Sequence, residues 1–180
     1  MSGRRQEIVD AAMAIADKDG LDAVSMRAVA DRVGVTPMAL YRHFDNKLAL
    51  LDDMVERIVT SLVPGRMTGD WDERLTALAH AYRGIAHRHP WSAQLLFSRP
   101  SITPDSVRVT EYIYAALREA GVPEPQVRRL ERLATTFVIG YAASEVLGRF
   151  TARPIDLDAE FDADLADLRR LIQQAGNPRT

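Results

Sequence analysis

The 180-residue chain contains no cysteine. This absence excludes disulfide scaffolds, zinc sites built on cysteine and thiol nucleophiles. The sequence also lacks an apolar run of roughly 18 residues, the length that a membrane-spanning helix needs. Its N-terminus shows no apolar segment of the kind that a signal peptide carries. We therefore expect a cytoplasmic protein that does not span a membrane.

An excess of charge of one sign is missing as well. The 23 basic and 25 acidic residues leave a formal net charge of −2, so the chain is neither an acidic disordered tail nor a wholly basic coat for nucleic acid. The sequence contains none of the motifs G-x-S-x-G, H-E-x-x-H, G-x-x-x-x-G-K or G-x-G-x-x-G. We therefore expect neither an enzyme nor a bound cofactor.

Aromatic residues make up only 7% of the chain, and alternating strand patterns bounded by turn residues are absent. Ala, Leu, Arg and Glu are abundant, and apolar residues recur at three- and four-residue spacing. These features predict an all-α fold. The expected helices cover about residues 4–18, 26–33, 37–43, 46–62, 71–88, 91–97, 104–120, 126–150 and 158–174.

The segment from Ser25 to Lys47 is the most informative part of the sequence. Two short helices, each preceded by a capping residue (Ser25 and Thr36), meet at a turn that contains Gly34. This arrangement is typical of a helix-turn-helix, whose second helix enters the major groove of DNA. Side chains able to contact phosphates or base edges are Ser25, Arg27, Thr36, Pro37, Met38, Tyr41, His43 and Lys47. As an alternative, Tyr41 and His43 are ordinary surface residues of a helix.

The same segment resembles the TetR (tetracycline repressor-like) family of transcriptional regulators. The resemblance depends on Ser25-x-Arg27-x-x-Ala30-x-x-x-Gly34-Val35 and on Leu40-Tyr41-x-His43-Phe44-x-x-Lys47-x-x-Leu50. It implies a homodimeric repressor that binds a palindromic operator on double-stranded DNA and is released by a small apolar or aromatic effector. Residues 1–47 would form the helix-turn-helix DNA-binding domain, and residues 48–180 a larger helical domain for ligand binding and dimerisation. The alternative is a helical DNA-binding regulator without an effector.

The charge of the first 47 residues gives no basic footprint, because seven Arg or Lys residues are balanced by seven Asp or Glu residues. We expect the basic side chains to be segregated on the DNA-facing side, and the salt dependence of binding to be moderate. The group expected there is Arg4, Arg5, Arg27, Arg42 and Lys47. Arg4 and Arg5 have two interpretations, a mobile arm on DNA or a solvated N-terminus.

Candidate ligand contacts come from the aromatic residues of the later helices. By default such residues belong to the core, but aromatic side chains from several helices also form ligand cavities. The candidates are Tyr82, Phe97, Tyr112, Phe137, Tyr141 and Glu145. Glu145 lies in the most apolar stretch, where it either faces solvent, pairs with an arginine or contacts a ligand. His80, His87 and His89 do not have the spacing of metal ligands, so no metal is expected.

The eighth predicted helix is apolar on more than one face between Leu133 and Leu147. A helix on a monomer surface needs only one apolar stripe, so the second face requires full burial or a partner. Small residues around Gly140 would let two backbones approach closely. We therefore expect a homodimer formed by the last two helices of each subunit.

Overall fold

The computed structural model of the chain describes residues 3–62, 68–99, 103–150 and 155–177. Over these ranges the fold is all-α, as predicted, with nine α-helices and a single 3₁₀ turn at Leu21–Ala23. The helices are α1 (Gly3–Asp19), α2 (Met26–Val33), α3 (Pro37–Leu40), α4 (Lys47–Leu62), α5 (Trp71–Arg88), α6 (Trp91–Ser98), α7 (Pro104–Glu119), α8 (Glu124–Val146) and α9 (Leu157–Gly176).

Helices α1 to α4 pack around one apolar core. Ile8 and Ala12 of α1, Val29 of α2 and Leu40 of α3 are all buried there, and Met54 of α4 is fully buried among them. Three residues from later in the chain complete this core: Ile85, Trp91 and Leu95. The N-terminal helices are therefore packed directly against α5 and α6. The predicted division of the chain after residue 47 stays a prediction.

Two further apolar clusters hold the second half of the chain together. One joins α5, α8 and α9 around Phe161, whose side chain is fully buried. The other joins α7, α8 and α9 around Leu117, Leu130 and Ile172. Because α8 and α9 contribute to both clusters, these two helices form the frame on which α5 and α7 pack.

Several helix ends differ from the sequence-based expectation. Helix α3 ends at Leu40 instead of residue 43, because the chain continues in a tight turn in which the His43 amide donates to the Leu40 carbonyl at 2.8 Å. Helix α8 ends at Val146 instead of residue 150. Gly148 adopts a left-handed conformation with φ of 69°, and the Arg149 amide donates to the Ser144 carbonyl.

Residues 64–69 include one proline and two glycines, a composition that predicts a linker, but residues 64–67 fall outside the described chain. Pro100 and Pro154, which are expected to end helices, also fall outside it. The following helix begins as predicted. The Asp70 carboxylate accepts from the amide of Glu73, and the Glu73 carboxylate accepts from the amide of Asp70, which completes a capping box for α5.

Two residues able to cap a helix, Asp45 and Asn46, precede α4, and the sequence predicts Asp45 as the N-cap. In the structure the N-cap is Asn46. The Asn46 Oδ1 atom accepts from the Ala49 amide at 3.0 Å. Replacing Asn46 by alanine is expected to lower the free energy of unfolding by about 1 kcal/mol, the usual cost of losing a side-chain cap. Urea denaturation measures this change. Asp45→Ala is the matched control and should change stability less; equal losses in the two variants would contradict the assignment of the cap.

Candidate DNA interface and ligand cavity

The turn between α2 and α3 has the geometry of a helix-turn-helix. The Ser25 hydroxyl caps α2 by accepting from the Ala28 amide at 3.1 Å. Gly34 ends the helix in the left-handed conformation, with φ of 76°, and the Val35 amide donates back to the Ala30 carbonyl at 3.0 Å. The left-handed Gly34 and the hydrogen bond from Val35 to Ala30 together set the angle at which the chain leaves α2 and enters α3.

Helix α3 is fixed on its inner side and open on its outer side. Leu40 and Phe44 are 1% and 2% exposed and anchor the segment to the first core. Met38 and Tyr41 are 73% and 48% exposed on the outer side. Thr36 and Pro37 are exposed there as well. The Thr36 side chain makes no capping hydrogen bond, contrary to the expectation, so its hydroxyl is available for another partner.

The remaining predicted DNA contacts surround this outer side. Ser25 and Arg27 are exposed at the start of α2, whereas His43 and Lys47 are half-buried beyond the end of α3. Arg27, Arg42 and Lys47 have no carboxylate within 4.0 Å in the part of the chain that the structure describes. No acidic side chain among the described residues therefore neutralises these three positive charges.

Arg4 and Arg5, by contrast, are ion-paired, and this corrects the expected DNA-facing group. Arg4 contacts Glu7 at 2.8 Å. Arg5 binds both carboxylate oxygens of Asp53, at 2.5 and 2.9 Å, and its guanidinium lies 4.2 Å from the centre of the Phe44 ring. Arg5 also donates to the His43 carbonyl. Arg5 is therefore not a mobile arm; it fastens the end of the α3 segment to α1 and α4.

A cavity of about 300 Å³ lies in the second half of the molecule. Six helices, α4 to α9, contribute to its wall, which is mostly aliphatic. Val59 and Leu62 from the C-terminal end of α4 line it, so the helix that follows the DNA-facing segment also reaches the cavity. The volume is at the lower end of the range typical of small-molecule sites.

Of the six predicted ligand contacts, Tyr82 lines this cavity. Its side chain is 5% exposed, and its hydroxyl has no hydrogen-bond partner among residues whose positions are described. Burial raises the pKa of the Tyr82 hydroxyl above its usual range, so the group stays protonated. It is therefore a buried donor without an acceptor.

The structure places the other five candidates away from the cavity wall. Phe97 is 58% exposed on α6, and Tyr112 is buried in the cluster formed by α7, α8 and α9. Phe137 stacks against Phe161 with ring centres 6.3 Å apart. The Tyr141 hydroxyl donates to the Leu157 carbonyl at 3.1 Å, and its pKa is raised chiefly by burial. Glu145 is engaged in an ion pair.

The ion pair joins Glu145 of α8 to Arg83 of α5. Arg83 Nε and Nη2 donate to the two carboxylate oxygens at 2.7 and 2.6 Å, and the two side chains are only 10% and 5% exposed. Asp158 and His87 extend the cluster, at 2.7 Å from Arg83 and 3.1 Å from Glu145. The Arg83 hydrogen bonds lower the pKa of Glu145 despite burial. Of the alternatives left open for Glu145, pairing with an arginine is the one observed.

The three histidines singled out in the sequence contact three different carboxylates. His80 lies 3.1 Å from Asp162, His87 contacts Glu145, and His89 lies 2.7 Å from Asp17. Over the described ranges no cluster of three His, Cys, Asp or Glu side chains is arranged to hold a metal ion. None of the helices described there combines the length and the apolar character that crossing a bilayer requires.

Asp17 links the two halves of the molecule. Its Oδ1 atom accepts from the Trp91 indole nitrogen at 2.6 Å and contacts His89 Nδ1 at 2.7 Å. Asp17 belongs to α1, while His89 and Trp91 stand at the junction of α5 and α6. These two contacts join the α5–α6 junction to the first helix.

Removing the Asp17 carboxylate leaves the Trp91 N–H, in a side chain that is 6% exposed, without its acceptor. We expect Asp17→Ala to lower the free energy of unfolding by about 1–2 kcal/mol, because an unpaired buried donor retains its desolvation penalty. Urea denaturation followed by circular dichroism measures the change. Asp19→Ala, at an exposed position near the same helix end, is the control. Equal effects of the two substitutions would mean that the Trp91 bond contributes nothing.

Some functional residues were missed because their partners are distant in sequence. Arg83 looks like any polar residue of an amphipathic helix, and its partner Glu145 lies 62 positions away. The partners of Arg5 and Asp17, which lie 48 and 74 positions away, were missed for the same reason. Helical periodicity identifies the apolar face of each helix, but it does not tell which face of another helix lies opposite.

Two family models match the chain, one after the other. Residues 8–54 match the model described as bacterial regulatory proteins, tetR family. Residues 63–170 match the model of the tetracyclin repressor-like C-terminal domain. The second match alone covers more than half of the 180 residues.

Individual relatives agree with these models. The repressor DrrR1 of Streptomyces coeruleorubidus is 34% identical over 157 residues, which are 86% of this chain and 58% of DrrR1. A regulator of Saccharopolyspora erythraea is 30% identical over 81% of this chain and 62% of its own length. The chain thus spans about six tenths of the length of these two curated relatives.

Solved structures show the same fold. BioQ of Mycobacterium smegmatis superposes with a TM-score of 0.81 at 27% identity, covering 96% of this chain and 99% of BioQ. BioQ has also been solved with its double-stranded DNA operator. Apo ActR of Streptomyces coelicolor superposes with a TM-score of 0.83 at 23% identity, covering 96% of this chain and 95% of ActR. The chain belongs to the TetR family of transcriptional regulators, which are not enzymes.

Proposed function

We propose that the protein is a ligand-responsive transcriptional repressor that binds a palindromic DNA operator as a homodimer and is released by a small apolar or aromatic effector. The observation that carries this proposal is the rigidly anchored α3 segment with an exposed outer side and unpaired cations around it. The complex of BioQ with its operator supports the same use of the fold. Such a regulator works beside the chromosome, which in bacteria is in the cytoplasm.

The proposed DNA contacts are the residues predicted from the sequence. Pro37 and Met38 of α3 would contact thymine methyl groups, and Arg27 would contact either a phosphate or a guanine edge. The proposed phosphate contacts are Ser25, Thr36, Tyr41, His43 and Lys47. Residues 1–47 carry the DNA contacts in this proposal, and residues 48–180 carry the ligand and dimer contacts. Because few cations are involved, a moderate salt dependence is expected.

A second copy of the chain is the proposed partner of α8 and α9. Leu133 of α8 and Leu147, directly after α8, are 43% and 72% exposed, and Leu171 of α9 is 37% exposed. Midway between Leu133 and Leu147, a Cβ atom built on Gly140 would meet nothing within 4 Å. An open apolar surface with a glycine at its centre suits close packing of two helices against their symmetry mates.

Helix α4 is the proposed link between ligand and DNA. Its N-terminal end follows the DNA-facing segment and is tied to it by Arg5 and Asp53, while its C-terminal end lines the cavity. The Asp17 contacts provide a second connection. If α4 can adopt two placements in the molecule, a ligand that binds one of them more tightly favours that placement. The operator affinity then changes by at most the difference between the ligand's binding free energies for the two placements. The cavity therefore favours this proposal over a regulator that has no effector.

Selection from a pool of randomised DNA duplexes tests the proposal. The purified chain should enrich an inverted repeat whose half-sites are centred about 10 base pairs apart, or a multiple of that spacing. The proposal that a homodimer binds a palindromic operator would be contradicted if the recovered sequences had no inverted symmetry. It would also be contradicted if the chain enriched no sequence beyond those that a chain lacking residues 1–47 enriches. The recovered duplex then serves in all later measurements of operator affinity.

A further inference from the structure

We propose that the cavity accepts an uncharged or cationic, largely apolar molecule with a hydrogen-bond acceptor, and that it disfavours carboxylates, sulfonates and phosphates. This inference rests on the proposed function, because it names the effector class of the same cavity. Four side chains in the cavity wall carry it: Asp72, Tyr82, Glu131 and Arg169.

The cavity wall contains two acidic side chains and one basic side chain, so one negative charge is left unbalanced. Arg169 Nε lies 3.0 Å from Asp72 Oδ1, so these two charges offset each other. Glu131 is half-buried, and in the chain as described it has no cation within 4.0 Å. The Thr135 hydroxyl donates to the Glu131 backbone carbonyl at 2.9 Å and lies 3.3 Å from Glu131 Oε1, so it does not neutralise the carboxylate. The net charge of the wall is therefore −1.

This charge acts inside an otherwise aliphatic space. Coulomb interactions between charges near a protein surface are several times stronger than in bulk water, because less solvent screens them. An anion in the cavity would lose its hydration and would also be repelled by Glu131. A neutral molecule avoids both costs, and a cation regains part of its own desolvation energy by pairing with Glu131.

The Tyr82 hydroxyl adds a requirement for a hydrogen-bond acceptor. The group is buried in the wall, and no described residue accepts its proton. Buried polar groups are almost always paired, and an unpaired one is unfavourable. A carbonyl, ether or hydroxyl oxygen on the ligand would supply the missing acceptor.

The charge preference is tested with two probes that share the same rings. N-phenyl-1-naphthylamine is uncharged, and 8-anilino-1-naphthalenesulfonate carries one sulfonate. Fluorescence titration of the full chain should give at least about tenfold tighter binding of the uncharged probe. Glu131→Gln should reduce this ratio to about threefold or less by strengthening sulfonate binding. Glu160→Gln, at an exposed position of α9 outside the cavity wall, should leave the ratio unchanged.

The acceptor requirement is tested with 6-propionyl-2-dimethylaminonaphthalene, an uncharged fluorophore with a ketone. Tyr82→Phe should weaken its binding about two- to tenfold, the net worth of one hydrogen bond, and shift its emission to the blue. Binding of N-phenyl-1-naphthylamine should stay within about twofold, because it lacks an oxygen acceptor. Equal losses for both fluorophores would overturn the role of the hydroxyl.

Other outcomes separate this inference from the proposed function. Tighter binding of the sulfonate, a ratio insensitive to Glu131→Gln, or no binding of either probe would overturn the inference. Anisotropy of the selected operator duplex is followed in the same titrations. Release of the duplex by the sulfonate overturns the inference and leaves the proposed function standing. If the uncharged probe binds more tightly as predicted but the chain binds no operator duplex, the inference about the cavity is supported and the proposed function is overturned.

Discussion

Replacing Glu145 by alanine is expected to lower the free energy of unfolding by about 3–5 kcal/mol, the usual cost of removing one partner of a buried ion pair. The substitution leaves the Arg83 guanidinium in a site that is 10% exposed, with Asp158 as its remaining acidic partner. Asp158 is 86% exposed, so it compensates only part of the lost interaction. Urea denaturation followed by circular dichroism measures the loss.

The double variant Arg83→Met/Glu145→Leu is the matched control. It removes both charges and keeps side chains of similar size, so it should recover most of the stability that Glu145→Ala loses. Two results would contradict this account: a loss below about 1 kcal/mol in the single variant, or no recovery in the double variant. Either one would mean that the pair does not hold α5 and α8 together.

The same pair gives the stability a defined pH dependence. Because the hydrogen bonds from Arg83 lower the pKa of Glu145 in the folded protein, the unfolded chain binds its proton at higher pH than the folded one. The stabilisation from Glu145 is therefore fully present above its unfolded pKa of about 4.3 and is lost as the pH falls through the folded pKa. The double variant should show a smaller loss over this acidic range.

Replacing Tyr41 by alanine is expected to weaken operator binding about five- to thirtyfold, or about 1–2 kcal/mol, typical of one specific contact in a protein–DNA interface. The side chain is 48% exposed, so the free energy of unfolding should change little. Fluorescence anisotropy with the selected duplex measures affinity, and sedimentation tests whether the dimer is unchanged.

Phe97→Ala is the control for Tyr41→Ala. Phe97 is an aromatic residue with 58% exposure on α6, outside the helix-turn-helix. Its removal should leave operator affinity within about twofold, as expected for a surface position without a DNA contact. Unchanged affinity in Tyr41→Ala, or equal losses in both variants, would remove Tyr41 from the interface.

The helix-turn-helix could be predicted because its determinants are local. Ser25 caps the helix that it precedes, and Gly34 takes the left-handed conformation that a tight turn requires. Leu40 and Phe44, the buried anchors of the α3 segment, are four residues apart, which is the spacing of one helix face. Each of these signals lies within a few residues of the feature it determines.

The parts that could not be predicted depend on which helices face each other. Glu145 had three open interpretations, and only the position of α5 opposite α8 selects Arg83 as its partner. Phe97 was a reasonable candidate for the cavity, yet α6 presents it outward. Asp45 and Asn46 are both good capping residues, and the choice between them depends on where the turn after α3 ends.

Site-directed cleavage tests whether α3 enters the DNA twice in a symmetric dimer. The chain has no cysteine, so Met38→Cys carries a single attachment point for an iron chelate at a position that is 73% exposed. Val107→Cys is the control, at an exposed site on α7. Helix α7 contacts α4 at Thr60, about 20 Å along the helix from Lys47.

We expect the Met38→Cys conjugate to cut the selected duplex at two symmetric positions inside the half-sites, and the Val107→Cys conjugate not to cut there. Cleavage at one position only would contradict the symmetric dimer. Absence of cleavage by the Met38→Cys conjugate on a duplex that it still binds would show that α3 does not enter the groove.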